Sequence, residues 1–129
     1  TALEQYVQIT PFEGNTLTTD PDMYRMMHAQ LAAQPDLALG GPTVQWLRVS
    51  LQDCAWLAGQ PSPALPCITF VGSDEQIVNT EAIHDRMARW PGGELDLIKG
   101  ARHEVLMETP EIRAHVFSSM CRLFEQYRG

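Results

Sequence analysis

The stretch that decides the fold covers residues 66–108 and reads PCITFVGSDEQIVNTEAIHDRMARWPGGELDLIKGARHEVLME. It opens with a short apolar run, CITFVG, which is rich in β-branched and aromatic residues and predicts a strand covered on both faces. A helix is predicted over residues 80–90, where PGG stops it, and ELDLI predicts a second strand. Strand, helix and strand in this order favour a βαβ unit with a parallel strand pair.

Helices are predicted on both sides of this unit. After it, Thr109 is a candidate cap and Pro110 suits the first turn of a long helix. Before it, TTDPDMYRMMHAQLAAQP predicts a helix capped by Asp20, and TVQWLRVSLQDCAWLA predicts a helix capped by Thr43. The second of these helices is apolar over more than one face, so we expect contacts on two of its sides.

Composition excludes several classes of partner. The chain has 129 residues, a formal charge of −7 and nine scattered Lys and Arg residues, which disfavours a nucleic-acid partner. No apolar run approaches the roughly 18 residues of a transmembrane segment. The three cysteines, Cys54, Cys67 and Cys121, are odd in number and widely spaced, so a disulfide framework is disfavoured. A reducing, cytoplasmic location is expected, with peripheral membrane contact as a variant of it.

Two loops that follow the predicted strands carry the candidate chemistry. GSDEQIV contains Asp74, and KGARHE contains His103. Parallel strands end at one edge of a sheet, so the two loops should lie side by side. An acid and a histidine in such loops suit a general base with its orienting carboxylate. Taken singly, each has a simpler explanation: a structural or surface histidine, and an Asx-turn or helix-capping aspartate.

With these residues in place, residues 66–108 resemble the last third of the α/β-hydrolase fold, in particular serine hydrolases of the lysophospholipase and monoacylglycerol lipase type. In that family the acid stands in a G-x-D-x-x-V loop and the histidine in a G-x-x-H-E loop. The matching residues here are Gly72, Asp74 and Val78, then Gly100, His103 and Glu104. One departure is that EQIV is one residue longer than the usual x-I-V. The segments NTLTTDPDMYRM and GGPTVQWLRVSL resemble cap helices of bacterial lysophospholipase-like members.

The resemblance implies an α/β fold class in which this chain is the C-terminal portion of an α/β-hydrolase. Residues 1–60 would form cap helices, and residues 61–129 would form the part of the core that carries the acid and histidine loops. Asp74 and His103 would be the catalytic acid and base of a Ser-Asp-His triad. The substrate would be a lipid-like ester, and neither a metal nor an organic cofactor is implied.

The nucleophile of that family is missing from this sequence. It lies in a G-x-S-x-G elbow that precedes the acid and the histidine along the chain, and no such motif occurs here. The serines present are in predicted helices, in the proline-rich connector or beside the acid: Ser50, Ser62, Ser73, Ser118 and Ser119. We therefore expect the nucleophile to precede Thr1, the chain alone to be inactive, and its partner to be the missing N-terminal half or a second copy.

Other readings stay open at this point. The rival from a different class is a non-catalytic interaction module that kept the half-fold, and peptidase, epoxide hydrolase and haloperoxidase are alternatives within the fold. HEVLM is not a zinc-protease motif, because Met107 stands where a second histidine is needed. Glu108 is expected to assist the turn after His103 or to face solvent, and Arg102 is expected to be exposed.

Overall fold

The computed structural model describes residues 11–38 and 40–128. Its helices are α1 (Pro21–Ala33), α2 (Val44–Ala58), α3 (Thr80–Ala88) and α4 (Pro110–Gln126), and its strands are β1 (Cys67–Gly72) and β2 (Gly93–Ile98). Short 3-10 helices lie at Phe12–Gly14, Pro35–Leu37 and Val105–Met107. This order confirms the predicted pair of helices followed by strand, helix, strand and helix.

The two strands form a parallel sheet, with α3 as the crossover between them. Cys67 lies opposite Gly93 at one end, and Gly72 lies opposite Ile98 at the other. Both strands therefore finish at the same level, and the loops that follow them begin side by side, as the sequence predicts.

Two of the three predicted helix caps are formed, and one further cap was not predicted. The side chains of Asp20 and Thr43 accept backbone N–H bonds at the starts of α1 and α2, and Asn79 does the same for α3. Pro110 occupies the first turn of α4. The predicted cap by Thr109 is wrong in its chemistry: Thr109 stands at the N-cap position, but its side chain makes no capping bond.

The core lies between the sheet and α4. Ile98, Ala101 and Val116 are buried together, and four half-buried apolar side chains pack against them: Phe70, Val105, Ile112 and Met120. On α3, Met87 is buried, and its sulfur accepts a hydrogen bond from the Thr69 hydroxyl at 3.2 Å. Ala101, in the loop that follows β2, is anchored in this core, and its burial fixes the start of that loop.

Helix α2 lies largely outside this core. Trp46 and Trp56 are 58% and 64% exposed. Its C-terminal end is held by α3, where Arg86 donates to the Gln60 carbonyl at 2.9 Å and Arg89 donates to the Ala58 carbonyl at 3.2 Å. The expected contact on two sides of α2 is therefore not made by the part of the chain that the structure describes. No described helix has the length and apolar character that crossing a bilayer requires.

Candidate active site

The histidine loop, residues 99–104, follows β2 and turns sharply. Gly100 has a φ of +78°, a left-handed conformation that glycine adopts without steric cost. Ala101 is completely buried and packs into the core cluster. The turn and its buried anchor together fix the backbone from which His103 projects, and the His103 side chain remains 28% exposed.

The acid loop, residues 73–79, packs directly on the histidine loop. Backbone N–H groups of Ser73 and Asp74 donate to the carbonyls of Ile98 and Ala101, both at 2.9 Å. The Gly100 N–H donates to the Ser73 hydroxyl at 2.8 Å. These bonds confirm that the two loops lie side by side.

Gly72 makes the close approach of the two loops feasible. A Cβ atom at this position would collide with the backbone carbonyls of Ala101 and Arg102. The glycine in the G-x-D pattern is thus required by packing, because only a residue without a side chain fits against the histidine loop.

The carboxylate that reaches His103 belongs to Glu75. Its Oε2 lies 2.7 Å from His103 Nδ1, and the Glu75 side chain is only 5% exposed. The other carboxylate oxygen, Oε1, accepts the backbone N–H groups of Ile77 and Val78. Both oxygens are thereby held in place, and the imidazole is oriented through one of its two nitrogens.

The same contacts decide the charge of Glu75. Burial alone would raise the pKa of this carboxyl, but the hydrogen bonds from Ile77, His103 and Val78 outweigh burial and lower the pKa below its ordinary value. Glu75 is therefore ionised at neutral pH, which is the state needed to accept the Nδ1–H of His103 and to stabilise an imidazolium.

Asp74 occupies a different position from the one expected. Its backbone N–H is bonded to Ala101, while its side chain is exposed and accepts a hydrogen bond from the Ser73 hydroxyl at 2.9 Å. The structure brings His103 together with Glu75 and not with Asp74, so the carboxylate bonded to the histidine is not the one expected. The physical reason is that Asp74 lies in the turn that leaves β1, and the next residue turns back toward the histidine.

A signal for this assignment was present in the sequence. Counting back from Val78, the spacing of the D-x-x-V pattern places its acid on Glu75, and the extra residue in EQIV is then not extra. The G-x-D part of the motif instead selects Asp74 and leaves a longer spacing to Val78. The choice between two adjacent carboxylates depends on that single residue.

A second missed feature lies on the other side of the histidine loop. We call residues 15–20 the strap. The N–H of Glu104 donates to the Leu17 carbonyl at 2.8 Å, and the N–H of His103 donates to the Thr16 carbonyl at 3.4 Å. The guanidinium of Arg102 donates to the carbonyls of Asn15 and Thr18 at 2.9 and 3.0 Å. The expected exposure of Arg102 is therefore wrong, since its side chain ties the loop to the strap.

Another histidine makes a bond of the same length in a different setting. His115 on α4 lies 2.7 Å from Asp96 on β2, but the two side chains are 54% and 28% exposed. Asp96 lies within the strand and not at its carboxyl end. His115 and Asp96 thus form a surface pair between α4 and β2, and this pair provides a matched comparison for His103.

The described residues do not complete a catalytic triad. In residues 11–38 and 40–128 no serine hydroxyl is hydrogen-bonded to His103: Ser73 bonds Asp74 and Gly100, and Ser62 accepts from Arg86. A cavity of about 430 Å³ lies between α2 and α3, but its lining contains no residue of either loop. The arrangement pairs a partly exposed imidazole with a buried carboxylate, the two groups that a general base and its orienting acid require.

Comparison with known proteins identifies a family and similar relatives. A family described as serine aminopeptidase, S33, matches residues 2–110. Lysophospholipase L2 of Escherichia coli strain K12 is 31% identical over 128 residues, covering 92% of this chain and 37% of the relative. The probable lysophospholipase L2 of Haemophilus influenzae is 28% identical over 109 residues, covering 84% of this chain and 35% of the relative. This chain therefore spans little more than a third of the length of these relatives.

A solved structure matches the fold. The chain superposes on a soluble variant of monoglyceride lipase from Saccharomyces cerevisiae in complex with a substrate analog, with a TM-score of 0.68 and 18% identity. The match covers 92% of this chain and 42% of the lipase chain. The shared architecture is that of an α/β-hydrolase, of which this chain corresponds to a part.

Proposed function

We propose, from the fact that the chain belongs to the serine aminopeptidase S33 family of α/β-hydrolases, that it carries the base and the acid of a serine esterase. Its substrates are lysophospholipids or monoacylglycerol-type esters. His103 is the general base and Glu75 its orienting acid, the role that the sequence assigned to Asp74. The nucleophilic serine comes from the part of the protein that precedes this chain.

In this mechanism the serine hydroxyl gives its proton to Nε2 of His103 as its oxygen attacks the ester carbonyl. The Nδ1–H of His103 stays bonded to Glu75, whose negative charge stabilises the imidazolium that forms. His103 then gives the proton to the leaving alcohol. In the second half of the cycle His103 takes a proton from water, which hydrolyses the acyl-enzyme.

The observation that carries the proposal is the bond between Glu75 and His103 at the carboxyl ends of two adjacent parallel strands. The distance is 2.7 Å and the carboxylate side chain is 5% exposed. Ligands and reactive groups in open α/β sheets gather at this edge. The equally short pair of His115 and Asp96 lies away from that edge and is more exposed, so distance alone does not single out a base.

The ester substrate class is supported by the names of the relatives, which are lysophospholipases. We assign residues 1–60 to a cap and residues 61–129 to the core, with the strap bonded to the core side. The exposed tryptophans of α2 are available to meet either the acyl chain of a substrate or the rest of the protein. Such substrates reside in membranes, and we place the enzyme in the cytoplasm with peripheral access to a membrane surface.

Peptide hydrolysis is the second candidate, because the matching family is described by an aminopeptidase activity. The acid and base would serve amide cleavage in the same way, since acyl transfer to serine is common to both reactions. The names of the two lysophospholipase relatives favour the ester.

The proposal is tested on the protein that contains this chain together with its preceding segment. Fatty acid release is measured from lysophosphatidylcholine and from monoacylglycerol, and p-nitroaniline release from aminoacyl p-nitroanilides. We expect turnover of the esters that His103→Ala abolishes, and no turnover by the isolated 129-residue chain. Turnover of the anilides alone would favour the peptidase, and no turnover of any substrate would favour a non-catalytic module.

A further inference from the structure

Glu108 is a buried carboxylate that the proposed reaction does not use. It has no exposed surface at all, so of the two alternatives expected from the sequence, assisting the turn after His103 or facing solvent, the second is wrong. Burying an ionised carboxylate costs free energy unless hydrogen bonds compensate it. The hydrogen bonds around Glu108 therefore indicate which parts of the structure the buried carboxylate stabilises.

The carboxylate of Glu108 joins the strap to the histidine loop. Oε1 accepts the N–H of Arg102 at 2.8 Å, and Oε2 accepts the N–H of Thr19 at 3.0 Å and also its hydroxyl. Arg102 immediately precedes His103, and Thr19 belongs to the strap. One side chain thus fixes the peptide before the proposed base and the segment that leads into α1.

Other backbone hydrogen bonds also hold the histidine loop. The N–H of His103 reaches the Thr16 carbonyl at 3.4 Å, the long end of the hydrogen-bond range. The bond from Glu104 to Leu17 at 2.8 Å acts on the residue after His103. The Ala101–Arg102 peptide, which precedes His103, is held on both sides: its carbonyl accepts the N–H of Asp74 at 2.9 Å, and its N–H donates to Glu108 at 2.8 Å.

We propose that Glu108 is a positioning residue for His103, acting through the Arg102 peptide and through Thr19 of the strap. The inference rests on the proposed function, because it presumes that His103 is the base. Glu108 touches no reacting atom; it holds the loop so that the imidazole stays between Glu75 and the nucleophile. The strap leads directly into α1, the first helix of the proposed cap, so cap and base are connected through one carboxylate.

The test uses Glu108→Gln and Thr19→Val in the protein that contains this chain and its preceding segment. Each variant removes part of the hydrogen bonding between Glu108 and its partners, Arg102 and Thr19. A glutamine amide accepts fewer hydrogen bonds than a carboxylate, and valine has no hydroxyl. Misplacing a catalytic group by about 1 Å costs on the order of 10²-fold in rate. We expect kcat to fall about 10- to 100-fold in each variant while KM changes little.

Two matched variants separate positioning from general destabilisation. Thr80→Val makes the same substitution at the first residue of α3, outside the strap and both loops, and it should keep wild-type kcat. Thr19→Ser restores the hydroxyl and should recover most of the activity lost in Thr19→Val. Amide hydrogen exchange should accelerate at Arg102 and His103 in Glu108→Gln and stay unchanged in β1.

The outcomes distinguish this inference from the proposed function. If Glu108→Gln and Thr19→Val fold and retain wild-type kcat while His103→Ala is inactive, the base is confirmed and the positioning role is refuted. If kcat falls only in proportion to the loss of folded protein, with exchange rising throughout the sheet, Glu108 is merely structural. If His103→Ala keeps its activity, the proposed function itself fails.

Discussion

Neutralising Glu75 should remove most of the catalytic activity, whereas neutralising the adjacent Asp74 should leave the activity nearly unchanged. Glu75→Gln removes the charged acceptor that lies 2.7 Å from His103 Nδ1, in a side chain that is 5% exposed. Asp74→Asn changes an exposed side chain whose bond is to the neighbouring Ser73 hydroxyl. The pair tests which carboxylate serves the base, because the G-x-D part of the motif favours Asp74, whereas the spacing to Val78 and the geometry favour Glu75.

The size of the effect follows from the bond that is lost. Hydrogen bonds to charged groups contribute about 1.5–3 kcal/mol, and each 1.36 kcal/mol is tenfold in rate, so the bond accounts for about 10- to 100-fold. An amide that turns its NH₂ toward Nδ1 also selects the wrong imidazole tautomer, a defect that costs about 10⁴-fold in a serine-protease triad. We expect kcat of Glu75→Gln to fall by about 10²- to 10⁴-fold, and that of Asp74→Asn to change by about twofold at most.

The assay is steady-state release of fatty acid from lysophosphatidylcholine by the protein that contains this chain and its preceding segment. Thermal melts of both variants establish that each is folded under the assay conditions. The reasoning is refuted if Asp74→Asn loses activity by several powers of ten while Glu75→Gln remains active. That result would restore the acid that the sequence motif predicts and make the Glu75 contact structural.

Three further outcomes follow from the fold. Gly72→Ala should lower the free energy of unfolding by about 2–4 kcal/mol in urea titration, because its Cβ would meet backbone carbonyls. Gly92→Ala, at a residue with a φ of +71° in open space, should lower it by about 1–2 kcal/mol. Equal losses in the two variants would contradict the packing argument. The lowered pKa of Glu75 means that its contribution to stability is present above the ordinary value of 4.5 and is lost as pH falls through the folded pKa. The wild type should therefore lose Tm more steeply than Glu75→Gln below about pH 4.5, and parallel curves would contradict this. The isolated chain should sediment above its monomer mass of 14.5 kDa, since the sheet formed by the described residues has two strands and two open edges; a single monomeric species that unfolds cooperatively would refute this.

The order of helices and strands could be predicted because each element carries a local signal. The β-branched and aromatic run of β1, the PGG stop after α3 and the caps at Asp20 and Thr43 are all decided within a few residues. The meeting of the acid and histidine loops also followed, because parallel strands joined by a crossover finish at the same edge. These features depend on periodicity and topology, which a single sequence contains.

The identity of the acid and the contacts of the strap depend on the direction of side chains in loops and on contacts between distant residues. Asp74 and Glu75 have the same charge and stand side by side, and the two parts of the sequence motif point to different ones, so the direction of a loop side chain decides between them. The strap has no periodicity, and its bonds join residues far apart in the chain, such as the Thr18 hydroxyl and the Met107 carbonyl, 89 positions away. A polar segment of this kind reads as an irregular connector until its partners are known, and the burial of Glu108 could not be predicted for the same reason.

The central claim is that His103 is the base of an ester hydrolase, and comparing His103→Ala with His115→Ala tests it most directly. Both histidines lie 2.7 Å from a carboxylate, so each variant loses a hydrogen bond of the same length. The His103 pair is the less exposed of the two and, unlike the His115 pair, lies at the carboxyl edge of the sheet. With lysophosphatidylcholine as substrate, we expect kcat to fall by several powers of ten in His103→Ala and by about twofold at most in His115→Ala. Comparable activity in the two folded variants would contradict the account.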